Sequence, residues 1–318
     1  MINLQRAVIE VFGGCNYSCK MCPQTTGRGS DWKKKMPLDF FESILDQLPG
    51  KPLINLEGSG EPSLLPDLPL YVEACTKRGL KSYMYCNGSK LVGDFAKDVV
   101  DAGISLIRFS CIGYDRPTYN HWMNVDNFDL ILDNARFLSN YVKESQKDCT
   151  IASYHLILDN TKIEEEVNLY RKNFIEKAGT VGYVWKMHNW SGNYKPIYFR
   201  NAEKKKSCGR PAAPELTVRA GGNGKLGAVT PCCQTLGPPN ESNSVLGHFE
   251  DQTFEEIWNG QLYNDLRVKH SENRFDEIDY CKNCDFLYED PEVLVWSNDN
   301  KASIDYMLGT EFSLKDYK

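Results

Sequence analysis

No stretch of this sequence is long and apolar enough to span a bilayer, since its apolar runs fall far short of the roughly 20 residues a membrane helix needs. The start, MINLQRAVIEVFGG, lacks a positive n-region and a small-residue cleavage site, which excludes a secretory signal there. Excess positive charge is missing too. The formal net charge is −6, which rules out a bulk nucleic-acid binder that relies on phosphate attraction. There is no internal repeat and no low-complexity segment. These absences leave a cytoplasmic chain of 318 residues with no membrane or nucleic-acid partner, long enough for one large domain and an appendage. What it does have is cysteine, 12 in all. A reducing compartment does not sustain a disulfide framework of that size, so metal ligation is the natural use. Two short basic runs, Lys33–Lys35 and Lys204–Lys206, read as solvated loop faces, with docking of an acidic partner or an electron donor as the other reading.

A fourth cysteine is also missing where one is wanted. FGGCNYSCKMCPQ, residues 12–24, places Cys15, Cys19 and Cys22 at C-x3-C-x2-C spacing. Structural zinc takes four ligands, a redox pair two, and a protein-held iron–sulfur cluster normally four thiolates. Three thiolates on a [4Fe–4S] cube leave one iron open to a small amine–carboxylate chelate. The amino-acid end of S-adenosylmethionine (SAM) is such a chelate. One electron into the sulfonium C–S bond then releases a 5′-deoxyadenosyl radical, the cofactor carrying the hard chemistry. Gly13 and Gly14 let the backbone approach the cube closely. Tyr17, between the first two ligands, either stacks near adenine or packs.

Strand-like runs at 7–12, 53–57, 81–86, 104–110, 151–158 and 181–187 alternate with amphipathic stretches at 38–48, 67–78, 93–102, 127–146 and 162–178. Six strands with helical crossovers predict an α/β fold with a parallel sheet, curled or closed into a barrel whose chemistry sits at the strands' C-terminal ends. The three cysteines, EGSGEPSL (57–64), NGS (87–89) and SCIGYD (110–115) all follow strands and converge on one rim. Beyond residue 190 the pattern changes to a linker, a hairpin over 216–231, a helix over 253–269 and CKNC at 281–284. The expected division is 1–190, a linker at 191–207, a cysteine-bearing domain at 208–290 and a C-terminal extension at 291–318.

With C15-N-Y-S-C19-K-M-C22 followed by six strand–helix units, the chain resembles the radical SAM superfamily. The resemblance implies a partial (β/α)6 TIM-like barrel, a [4Fe–4S] cluster on Cys15, Cys19 and Cys22, and reductive SAM cleavage. The family's Gly-Gly-Glu element corresponds to Ser59-Gly60-Glu61, with Ser in place of one glycine. Asn87 and Ser110 match positions that commonly touch the SAM ribose and carboxylate. The stretch from Gly227 through Cys232 and Cys233 into LGHFEDQTFEEIWNGQLYNDLR resembles the SPASM/twitch region, a small β-hairpin plus helix domain that holds auxiliary [4Fe–4S] clusters. A full SPASM domain has further cysteines, but here Asp290 stands where one would fall and none follows. Cys208, Cys232, Cys281 and Cys284 then form a one-cluster set, with Cys232 preferred to Cys233 by the Gly-x4-Cys spacing. A zinc ribbon uses similar two-plus-two ligands.

Four thiolates favour an electron carrier, giving two [4Fe–4S] clusters in all. Cys75, Cys86, Cys111, Cys149 and Cys233 read first as buried packing residues. Cys111, beside Ser110, is also a candidate hydrogen donor facing the cavity. Asp115, Tyr114, His155 and His188 are candidate acid–base groups, and Asp115 alternatively caps a turn. The first functional expectation is modification of a ribosomally made peptide by crosslinking, epimerisation or backbone excision. That would involve a separate leader-recognition protein and an electron donor such as flavodoxin. The alternatives are a small-molecule dehydrogenase acting on an aminocyclitol or sugar alcohol, and a non-catalytic iron–sulfur electron-transfer protein.

Overall fold

The computed structural model describes residues 2–26, 29–159, 161–194, 205–287 and 294–299. Six strands come first: β1 Arg6–Ile9, β2 Leu53–Asn55, β3 Ser82–Cys86, β4 Leu106–Ser110, β5 Thr150–Ile157 and β6 Val181–Lys186. All neighbours from β1 to β6 pair in parallel. Between them run α1 Leu38–Gln47, α2 Leu68–Lys77, α3 Gly93–Asp101, α4 Arg116–Met123, α5 Phe128–Ser145 and α6 Ile163–Tyr170. A π turn at Arg171–Ile175 carries α6 on into α7, Glu176–Ala178. The strands are nearly continuous apolar runs because helices cover one face and the site's own side chains fill the other. Each helix turns a narrow apolar stripe inward: Phe41, Ile44 and Leu45 on α1, Ala96, Val99 and Val100 on α3.

Two local expectations change. The aromatic-rich stretch after β4, which reads as loop, contains α4. The Asp115 carboxylate accepts from the Thr118 backbone while the Thr118 hydroxyl answers the Asp115 backbone, with proline in the first turn. The helix expected over 253–269 is two helices, α9 Phe254–Trp258 and α10 Gln261–Ser271, because the chain breaks at Asn259 and restarts with Gly260 as an extended N-cap.

The hairpin is present as β7 Glu215–Gly222 and β8 Lys225–Thr230, joined by Asn223 and Gly224, both at positive φ as a two-residue type I′ turn requires. Short elements α8 Asn240–Asn243 and β9 Gly247–His248 follow. The hairpin is not a detached unit, because β7 pairs in parallel with β1 from Arg6–Glu215 to Ile9–Val218. Within the stretch read as an extension, Leu294–Ser297 forms β10, antiparallel to β6. Among the described residues one sheet therefore runs β10-β6-β5-β4-β3-β2-β1-β7-β8-β9. Asp290, Lys204, most of the linker and most of 291–318 lie outside the described residues.

Candidate active site

The C-terminal ends of the strands enclose a cavity of about 280 Å³, lined by Cys15, Cys19 and Cys22 on one side and by Arg210, Cys233 and Gln234 on the other. The cysteine loop is held by its own backbone and by its neighbours. Cys22 N–H donates to the Cys19 carbonyl at 3.0 Å, Tyr17 N–H points at Cys15 Sγ at 3.4 Å, and Cys19 Sγ lies 3.8 Å from Met123 Sδ on α4. Burial pushes the thiols of Cys15 and Cys19 up from their ordinary range, with nearby carboxyl and thiol groups adding to the effect. Loading iron therefore has to displace protons.

The loop after β2 is pressed against the cysteine loop. Glu61 N–H donates to the Gly14 carbonyl at 2.7 Å, and a Cβ on Gly60 would sit 1.9 Å from the Phe12 carbonyl oxygen. Only glycine permits that approach. The Glu61 carboxylate takes the Asn87 N–H at 2.5 Å and the Ser63 N–H at 3.0 Å, while burial raises its pKa to about 6. Asn87 in turn donates to Asn16 Oδ1 at 2.9 Å and lies 3.9 Å from Cys15 Sγ. Tyr17 is buried with its hydroxyl accepting from Asn127, and Ser110 donates to the Tyr154 hydroxyl at 3.2 Å. Tyr17, Ser59, Gly60, Glu61, Asn87 and Ser110 thus all line the cavity that the three thiols face.

Ser59, the departure from Gly-Gly-Glu, has partners of its own. Its N–H donates to Glu10 Oε2 at 2.5 Å and its hydroxyl to Glu241 Oε1 at 3.2 Å. Glu10 faces the fully buried Arg219 at 3.9 Å, and Arg219 donates to the Cys233 carbonyl at 3.4 Å. A buried polar chain therefore runs from the Ser59 loop through β1 and β7 to the second cysteine group.

Cys208, Cys232, Cys281 and Cys284 line a second, small cavity together, while Cys233 faces the large one with Arg210 Nη1 at 3.3 Å from its sulfur. Burial raises all four thiols, Cys232 to about 12 against the pull of Arg210. Arg210, Gln234 and Phe286 line both cavities and form the wall between them. Among the described residues no three His, Cys, Asp or Glu side chains close on a single-ion position. Cys15, Cys19 and Cys22 line the large cavity, and Cys208, Cys232, Cys281 and Cys284 the small one.

The acid–base candidates separate. His188 lines the large cavity, its ring 4.0 Å from that of Trp190 and 5.5 Å from that of Phe286. Cys111 does not face it: strand alternation after Ser110 turns the thiol into the packed layer, where it is fully buried. Asp115 is committed to capping α4. Tyr114 stays at the rim, edge-on to His155. His155 is structural, accepting from Gly113 N–H at 3.0 Å and meeting the buried Glu166 at 3.1 Å. The basic runs are mostly paired, Lys34 with Asp31, Lys35 with Asp67 and Lys205 with Asp276. Unforeseen on the cavity wall are Glu57, Tyr154, Arg210, Gln234 and Cys233, beside Trp185 of the aromatic stretch 183–190, which suits a substrate groove. Glu57 was within reach of sequence reasoning, as a carboxylate two residues past a strand end.

Comparison with known proteins gives a consistent picture. The family model of the radical SAM superfamily matches residues 9–170, and that of an iron–sulfur cluster-binding domain, SPASM, matches residues 224–285. An uncharacterised protein of Methanocaldococcus jannaschii is 26% identical over 51% of this chain and 53% of its own length. A tungsten-containing aldehyde ferredoxin oxidoreductase cofactor-modifying protein of Pyrococcus furiosus is 30% identical over 32% of this chain and 29% of its own. The chain thus spans about half, or less, of the length of these curated relatives. Among solved structures, BtrN in complex with AdoMet and 2-DOIA superposes with a TM-score of 0.61 at 19% identity, over 89% of this chain and 94% of BtrN. SuiB of Streptococcus suis bound to its precursor peptide SuiA gives 0.57 at 16%, over 90% and 70%. At those identities the likeness is one of fold.

Proposed function

The chain belongs to the radical SAM superfamily, a family of enzymes, and from that premise we propose that it oxidises a compact polar substrate by two electrons, using a second iron–sulfur centre. The observation that carries this reading is the shared wall. Arg210, Gln234 and Phe286 line both cavities, so the second cysteine group lies one side chain's thickness from the space next to Cys15, Cys19 and Cys22.

Cys15, Cys19 and Cys22 would hold one [4Fe–4S] cluster by three thiolates, and Cys208, Cys232, Cys281 and Cys284 a second by four. When bound, the first cluster and SAM supply one-electron cleavage of the sulfonium and a carbon radical able to remove hydrogen from a C–H bond. The Ser59–Gly60 backbone would receive the methionine amine, and Glu61 would fix that loop through Asn87 and Ser63. Tyr17 would flank the adenine, while Asn87 and Ser110 would position the ribose and carboxylate. The buried wall keeps water from the reacting carbon, and Arg210 balances the charge of the thiolates behind it. An external one-electron donor of the flavodoxin type is the expected partner.

The reacting group that this reading calls for is an alcohol or amine on the carbon that loses hydrogen. A free metabolite is the first source of such a group. A residue of a ribosomally made peptide, delivered by a separate recognition protein, is the second, favoured by the partly exposed Trp190 on the cavity wall.

The test is anaerobic purification of Cys15→Ala from its own host, followed by mass spectrometry of what remains bound. A low-mass polyol or amine supports the first source, and a short peptide or a small protein carrying one supports the second. Equal 5′-deoxyadenosine formation by reconstituted wild type and Cys15→Ala overturns the radical SAM assignment of that loop.

A further inference from the structure

Three carboxylates line the large cavity among the described residues: Glu57, Glu61 and Glu215. Glu61 is engaged by Asn87 and Ser63, and Glu215 by Arg6 at 3.2 Å. Glu57 is placed differently. It follows β2, its Oε1 takes the Asn55 side-chain amide, and among the described residues no cation reaches it at ion-pair distance. Facing it from the neighbouring strands are Arg6 of β1, Tyr85 and Cys86 of β3, Arg108 of β4 and Tyr154 of β5. Its side chain is partly buried and lines the cavity.

The same cavity carries other groups suited to a polar ligand. Tyr85, Tyr154 and Trp185 form an aromatic cluster with ring centroids 5.1–6.3 Å apart. Asn55 Oδ1, Trp185 Nε1 and Gln234 Oε1 are buried without a protein partner, on residues that are 2%, 2% and 7% exposed. Buried polar atoms are rarely left so unless water or a ligand completes them. Burial raises the Glu57 carboxyl to about 7, opposed by the Asn55 bond, the charges of Arg108 and Arg6 and the backbone N–H of Tyr85. Both protonation states are then populated near neutrality, the condition under which a general base works best.

We propose that Glu57 is the proton acceptor of the oxidation, acting on a hydroxyl or amine attached to the carbon that loses hydrogen. This rests on the two-electron reading above. Removal of a hydrogen atom from an H–C–O–H unit leaves a carbon radical. The O–H bond then breaks, its proton passing to the Glu57 carboxylate, and one electron leaves for the iron–sulfur centre of the second cysteine group. The C–O single bond becomes C=O, or C=N for an amine. The substrate has lost two electrons and two protons in total, and Glu57 returns its proton to water.

Two measurements test it. Infrared pH-difference spectra of the cluster-reconstituted protein are expected to show a protonated carboxyl band that disappears with a midpoint near 7. Glu57→Gln should abolish that band and Glu57→Asp should keep it at a shifted position. With the substrate captured on Cys15→Ala, the ratio of oxidised product to 5′-deoxyadenosine is expected to fall about 10²-fold or more in Glu57→Gln. It should recover in part in Glu57→Asp, and the rise of rate with pH through neutrality should be lost in Glu57→Gln. An unchanged band, an unchanged ratio, or a pH break that moves to His188→Gln instead overturns the assignment. Wild type that forms no 5′-deoxyadenosine at all would defeat the radical reading itself, a different failure.

Discussion

At the scale of single residues, the contacts that matter are those no other side chain can make. Gly60→Ala would drive a Cβ into the Phe12 carbonyl and push the cysteine loop off its geometry. Iron content and visible absorbance after reconstitution are expected to fall by about half if the chain holds the two clusters proposed above and one of them is lost. The adjacent cysteines separate in the same assay. Cys232→Ser should lose roughly four irons per chain and Cys233→Ser almost none, because Cys233 faces the other cavity. Glu57 also predicts a stability effect. A carboxyl raised by burial is favoured protonated in the folded state, so its contribution is present at pH 4 and is lost as pH rises through about 7. Glu57→Gln in the metal-free protein should therefore be no more stable than wild type at pH 4. At pH 8 it should gain up to about 3 kcal/mol, checked by denaturant titration at both values.

At the scale of elements, the cap of α4 decides what Asp115 is for. Asp115→Ala removes the reciprocal pair with Thr118 and is expected to cost about 1 kcal/mol, visible as a lower Tm, with the ratio of product to 5′-deoxyadenosine unchanged. The six strands and most helices were legible because period-2 and period-3.6 patterns are local. The α4 helix was not, since its aromatic residues mask a weak periodicity, although Asp115, Pro117 and Thr118 announce its start. Gly260 should have divided the long C-terminal helix, as a glycine at an N-cap does. The thiols were readable from spacing. Arg210 and Gln234 were not, because their roles depend on loops from distant strands meeting, whereas Glu57, just past the end of β2, was readable as a strand-end carboxylate and was not singled out. Cys111 was misplaced by one step of strand alternation after Ser110.

At the scale of the whole molecule, the chain behaves as one sheet whose N-terminal strand lies inside it. No local pattern reports that β1 accepts β7, as pairing of Arg6 with Glu215 joins segments that lie far apart in the sequence. The buried line from Ser59 through Glu10 and Arg219 to the Cys233 carbonyl crosses the same seam. Arg219→Met would remove the guanidinium that lies 3.9 Å from the buried Glu10 carboxylate. It is expected to destabilise the protein by about 3–5 kcal/mol, measured by chemical denaturation. Hydrogen exchange should show loosening on both sides, in the Ser59 loop and around Cys232, rather than at the substituted strand alone.

The pairing of β1 with β7 also bears on how the protein is made. During translation β1 leaves the ribosome well before β7, so the partner for its outer edge arrives only once residues 215–222 have been synthesised. Until then the nascent chain carries an open parallel edge of the kind that recruits other strands. Yield in cells should accordingly respond to chaperone supply and elongation speed, and a ribosome stalled before Glu215 should hold a barrel still sensitive to protease.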